Sequence, residues 1–302
     1  MPTGTLALAA VIFWATLITG CETDGAPPQQ VQDTTAYIVV VNNPLLYFTQ
    51  RLIGEEVDVR LLAPADSDPA SWQPTVEDVL QIQGAELLLL NGAAYSGWLN
   101  KVSVSSNKLV VTSETAKEQW IALDKQVTHS HGPGGEHAHG SYAFTTWMDM
   151  SLAQLQAEAV AEALQKKWPE KQNDIDERLM SLSAELESLD REYTEAAAAH
   201  GNRQIIYSHP VYQYFERRYQ LPGISLHWEP DVMPSDEQWQ ALSDIKTDRM
   251  LFIWEAQPSL EIIERMGEMG IAFVVLDPAA NIQSDGWMDV QRRNVALLDA
   301  QN

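Results

Sequence analysis

"PEKQNDIDERLMSLSAELESLDREYTEAAAAHG", residues 169–201, decides the fold. It carries no strand signal. Ile175, Leu179, Leu182, Leu186 and Leu189 recur at threes and fours, one apolar stripe on an otherwise charged rod, and that period is helical. Pro169 suits the first turn and Gly201 the end. At ~1.5 Å per residue the rod is ~45 Å long, enough to bridge two domains. A second helix, "SLAQLQAEAVAEALQKKW", precedes it and is closed by Pro169.

On both sides of this helical segment strand and helix alternate. Before it come "AYIVVV", the helical "LLYFTQRLIG", "VDVRLLAP", the helix "TVEDVLQIQGA", "ELLLLNG", a short helix near "SGWLNK", and "KLVVTS". After it come "RQIIYS", "VYQYFERRYQ", "GISLHW", "SDEQWQALSDI", "RMLFIW", "SLEIIERMGEMG", "IAFVVL" and "DVQRRNVALLDA". Continuous apolar strands between helices predict parallel sheets covered on both faces. The expected fold class is α/β: two parallel-sheet, Rossmann-like lobes joined by a long rigid helix. The boundaries are an N-terminal lobe at 36–150, a helical linker at 151–200 and a C-terminal lobe at 201–302. No Gly interrupts the long helix and its one Pro stands at the start, so the connector should resist bending and ligand binding should cause little hinge motion.

The chain has 302 residues, 45% of them apolar, and ten tryptophans, a composition of globular domains with real cores. Its net charge of −23 excludes a nucleic-acid partner, which needs a basic face. Residues 5–20, "TLALAAVIFWATLITG", form an N-terminal apolar run too short for a comfortable membrane span. The run ends "LITGC" and resembles a bacterial lipoprotein signal (residues 1–20) with Cys21 as the lipidated residue, although "MPTGTL" lacks the usual Lys or Arg. The polar, Pro-rich stretch 21–35 then reads as a tether. Cys21 is the one cysteine, so no intramolecular disulfide can form. This predicts an exported protein, periplasmic or at the cell surface, lipid-anchored to the membrane.

In open parallel sheets ligands bind beyond the carboxyl ends of the strands. In the second lobe those ends deliver His209, Glu229, Glu255 and Asp277 to one edge; the first lobe offers Asn42, Asn43, Asp66, Asp68 and Asn91. Strand ends are also loops, which are polar and cap helices, so a single such residue proves nothing. Late in the N-terminal lobe, before the helical linker, lies "THSHGPGGEHAHG", residues 128–140, with two His-x-His pairs, His129/His131 and His137/His139, around a Gly-Pro run that leaves no room for helix or strand. His200 reads as a surface residue and His227 as a core histidine. No G-x-S-x-G, H-E-x-x-H or phosphate loop occurs. His209 and Glu229 would make an acid–base pair without a nucleophile, so the chain does not read as an enzyme.

Several motifs in order resemble the ABC-transporter solute-binding proteins for zinc and manganese, the group of ZnuA-like zinc receptors. They are "NNPLLYFTQRLIGEEVDVRLLAP", "DPASWQPTVEDVLQIQGAELLLLNGAAYSGWLNK", "SHPVYQYFERRYQL" and "FIWEAQPSLEIIERMGEMGIAFVVLDP". The resemblance covers nearly the whole mature chain. It implies two lobes joined by one long helix, a His-rich loop before the linker, zinc (or manganese) as the bound ion, an ABC permease as partner and a monomeric receptor. It implies four metal ligands, of which His209 and Asp277 match. The two expected first-lobe histidines fall on Ala70 and Thr145. The missing donors then come from His129, His131, His137 and His139, or from cleft residues such as Glu255 or Asp68. Two functions follow: a receptor carrying zinc to an importer, or a divergent protein that has lost the cleft site and buffers metal through its loop or takes another ligand.

Overall fold

The computed structural model describes Met1 and residues 36–123, 128–130, 136–138, 142–282 and 285–301. The chain divides into two units, Met1–Thr34 and Thr35–Asn302, and every element below belongs to the second. The signal, the tether and Cys21 lie outside the described residues.

In the first lobe β1 (Tyr37–Val40), β2 (Asp58–Leu61), β3 (Leu87–Leu90) and β4 (Leu109–Val111) form one parallel sheet in the order β2-β1-β3-β4. In the second lobe β7 (Gln204–Tyr207), β8 (Gly223–Ser225), β9 (Met250–Trp254) and β10 (Ala272–Val275) form another, read from its far edge as β8-β7-β9-β10. The two lobes therefore share one strand order. β3 and β9 are buried at every position, because helices cover both faces of each sheet.

The intervening helices start where the sequence supplies caps. Asn42 caps α1 (Asn43–Ile53), with Pro44 in its first turn. Reciprocal capping boxes, Thr75 with Asp78 and Ser235 with Gln238, open α2 (Val76–Gly84) and α6 (Asp236–Ile245). In the second lobe α5 (Gln213–Tyr219), α7 (Leu260–Glu268) and α8 (Trp287–Asp299) complete the set. The segment between the lobes contains α3 (Met150–Lys167) and, after a 3-10 turn at Pro169–Lys171, the long α4 (Gln172–Ala198). Ile175, Leu182, Leu186, Leu189 and Tyr193 bury the predicted stripe of α4, while Leu179 is only half-buried. That stripe joins α1, α3 and the inner faces of both lobes into one apolar core. A separate aromatic-rich cluster of Trp228, Trp239, Phe252 and Trp254 lies in the second lobe. No helix among the described residues is long and apolar enough to cross a membrane.

Three sequence expectations need correction. The His-rich tract does form strand: β5 (Thr128–Ser130) pairs antiparallel with β6 (Glu136–Ala138), placing His129 opposite His137. A Gly-Pro cluster between two short flanks is itself a hairpin signal. His200 is fully buried rather than on the surface, with its Nε2 2.9 Å from the Leu298 carbonyl oxygen, because α8 folds back over the end of α4. His227 is exposed rather than in the core, since β8 stops at Ser225 and its alternation does not reach residue 227.

Candidate metal centre

In a sheet of this order the crevice opens where successive crossovers leave in opposite directions, between the first and third strands of each lobe. In the second lobe that point lies between β7 and β9. The chain leaving β7 runs through Ser208 to His209, only 2% exposed; the chain leaving β9 runs to Glu255. Ser208 gathers the exits. Its N–H donates to the Ile253 carbonyl at 2.8 Å, its carbonyl accepts from Trp228 N–H at 2.9 Å, and its hydroxyl accepts from Glu255 N–H at 3.3 Å. The Trp228 bond draws in the exit of the edge strand β8, and Glu229 comes with it.

The result is a group of three side chains whose potential ligand atoms lie within 4.8 Å of one another: His209, Glu229 and Glu255. His209 Nδ1 is 3.7 Å from Glu229 Oε1 and 3.6 Å from Glu255 Oε1. Donors ~2.0–2.2 Å from a tetrahedral zinc stand ~3.3–3.6 Å apart, so the two imidazole–carboxylate spacings already suit one cation, and the group as a whole would draw together around it. Both carboxylates are partly exposed, which gives an ion a way in. Beneath them Tyr212 is buried and its phenol donates to the Leu276 carbonyl at 2.6 Å. Burial first, then the charges of Glu255 and Asp277, push that phenol far above its ordinary range, so it stays neutral.

The sequence reading placed His209 and Glu255 in the ligand set, and the structure brings these two together. Glu229 was recognised as a strand-end residue but not as a ligand. Its signal was its place after an apolar strand, and the Ser208–Trp228 bond that brings it inward has no sequence signature. Asp277 borders the group without joining it. Its Oδ1 accepts from Ala279 N–H at 2.6 Å, and Asn294 brackets its backbone, accepting from Asp277 N–H and donating to the Asp277 carbonyl. The carboxylate thereby shapes a turn in which Ala279 takes a left-handed φ of +53°.

That turn binds the first lobe. Asn43 N–H donates to the Ala280 carbonyl at 2.9 Å, Trp147 Nε1–H to the Pro278 carbonyl at 2.8 Å, and Asn281 to the carbonyls of Pro64 and Ser67. Thr145, which stands where the family pattern has a histidine, donates its hydroxyl to the Val211 carbonyl at 2.6 Å. Ala70, at the other such position, has no donor side chain. Asp68 is exposed and one of its oxygens accepts from Ala70 N–H, so it caps a turn. His129 and His137 are register partners in the β5–β6 hairpin; His131 and His139 lie outside the described residues.

The corresponding point of the first lobe, between β1 and β3, is filled by amides and hydroxyls. Asn91 Oδ1 accepts from Asn42 Nδ2, Thr146 Oγ1 and Gln156 Nε2, and Gln156 also donates to Thr112 Oγ1. All five side chains are buried.

The chain is 24% identical over 283 residues to the zinc-binding protein AdcA of Streptococcus pyogenes serotype M6, covering 86% of this chain and 55% of that protein. It thus spans about half the length of that relative. It is 22% identical over 285 residues to the high-affinity zinc uptake system protein ZnuA of Bacillus subtilis, covering 87% of this chain and 86% of the other. Its fold matches the crystal structure of the Zn(II)-bound ZnuA-like domain of Streptococcus pneumoniae AdcA, with a TM-score of 0.74 at 19% identity, over 88% of this chain and 98% of that one. Over residues 38–300 the sequence matches the model of the family described as zinc-uptake complex component A periplasmic, and the chain belongs to that family.

Proposed function

We propose that this protein is the exported solute-binding component of an ABC importer and that it carries a divalent transition metal, zinc first and manganese second, to a permease. The observation that supports this most is the triad of His209, Glu229 and Glu255, one imidazole and two carboxylates spaced for a single cation. Such a donor set suits borderline metals. The metal is cargo, and the role is binding and delivery rather than catalysis. Lipid attachment through Cys21, a monomeric receptor and a position outside the cytoplasmic membrane belong to the same proposal.

The site differs from the family pattern in drawing on one lobe. Ala70 and Thr145 contribute nothing to it, which keeps open a second reading: an accessory buffer that holds metal chiefly on the His129/His137 hairpin. Zinc titration by calorimetry separates the two. Under the receptor reading His209→Ala weakens the tightest zinc site by more than ~100-fold, a larger loss than removing a supporting contact. Under the buffer reading deletion of residues 129–139 removes that site and His209→Ala leaves it.

A further inference from the structure

Three donors leave a tetrahedral cation one ligand short. Neither first-lobe position supplies the fourth: Ala70 has no donor atom, and the Thr145 hydroxyl is committed to the Val211 carbonyl. Asp277, whose Oδ1 accepts from Ala279 N–H, stands outside the group of His209, Glu229 and Glu255. One further nitrogen-bearing ring stands beside the group. His227 is separated from Glu229 only by Trp228, and its ring meets that of His209 edge to face, with centroids 5.7 Å apart and planes at 85°. Trp228 is buried and anchored through its N–H to Ser208, which fixes the backbone on which His227 rides. The His227 side chain itself is exposed.

We propose that His227 is the fourth ligand of a divalent cation held by His209, Glu229 and Glu255, turning in from the mouth of the site as the ion arrives. The inference rests on the metal-binding reading above and sharpens it. The shell becomes two imidazoles and two carboxylates, all from the second lobe. Its most exposed ligand is the last to join and the first to leave, so an ion can be loaded and released by one side-chain rotation without the lobes parting.

X-ray absorption at the zinc edge, on the full chain given half an equivalent of zinc, counts the imidazoles, and a competition titration gives the affinity. The wild type should show two imidazoles. His227→Ala should show one, with affinity lower by at least ~10-fold, the lower end of what losing even a supporting contact around a metal costs. His227→Asp should recover part of the affinity while keeping one imidazole. A count that stays at two in His227→Ala, at unchanged affinity, overturns the proposal, because the second imidazole then comes from elsewhere. The metal-binding reading fails separately, if His209→Ala keeps wild-type affinity. Thermal melting of each apo variant checks the fold, and the exposed position of His227 predicts an unchanged midpoint.

Discussion

Between β1 and β3 the first sheet ends in Asn42 and Asn91; between β7 and β9 the second ends in His209 and Glu255. The strand order around the two points is the same, so topology offers each lobe the same crevice. Chemistry decides what each does with it. In the first lobe the amides of Asn42, Asn91 and Gln156 and the hydroxyls of Thr112 and Thr146 satisfy one another, and the crevice is part of the core. In the second lobe two acceptor carboxylates and an imidazole converge, and a cation is the partner that suits all three at once. A shared fold thus supplies the place for a site, while the strand-end residues decide whether it seals or binds.

The comparison breaks if the family ligand Asp277, rather than Glu255, holds the metal. Glu255→Ala should lower zinc affinity by ~100-fold or more, since it opens a coordination position. Asp277→Asn keeps the oxygen that accepts from Ala279 N–H and should change affinity by less than about threefold, a shift below 1 kcal/mol. Calorimetry on both variants decides; the reverse ranking would restore the family's ligand to its usual role.

In the first lobe the expected effect is on stability. Gln156→Leu takes one partner each from the buried Asn91, Thr112 and Thr146, which keep their other bonds, so the loss is that of three hydrogen bonds at about 1 kcal/mol each. A loss of about 2–4 kcal/mol in urea unfolding, with zinc affinity unchanged, would confirm that this crevice is structural. An affinity loss as large as that of Glu255→Ala would mean that the first lobe still contributes to binding.

The smallest effect concerns His200, remote from both crevices. Burial lowers its pKa from 6.5, and its bond to the Leu298 carbonyl opposes that only in part. The unfolded chain therefore takes up the proton first as pH falls, and the folded state loses stability below about pH 6.5. His200→Gln should flatten that slope in urea titrations of the apoprotein between pH 7 and pH 5. An unchanged slope would assign the acid sensitivity to other groups.

The fold was legible because apolar period reports burial directly. The stripe from Ile175 to Leu189 announced α4, and runs such as "ELLLLNG" announced buried parallel strands. The site was legible only as a set of strand-end candidates. Which of them meet depends on strand order, and strand order is a property of packing. β10 lies at the far edge beyond β9, which leaves Asp277 beside the group, whereas the Ser208–Trp228 bond pulls the exit of β8, and Glu229, into it. His200 and His227 were misplaced for related reasons. The burial of one comes from α8, far along the chain, and the exposure of the other from a strand only three residues long.

The most direct test is anomalous diffraction at the zinc edge from crystals of the zinc-loaded protein. The account predicts the strongest peak at the carboxyl edge of the second sheet, within ligand distance of His209, Glu229 and Glu255, with Thr145 still bonded to Val211. A principal peak at Asp277 with Glu229 and Glu255 turned away, or one on the hairpin at His129 and His137 with the second-lobe crevice empty, would contradict it.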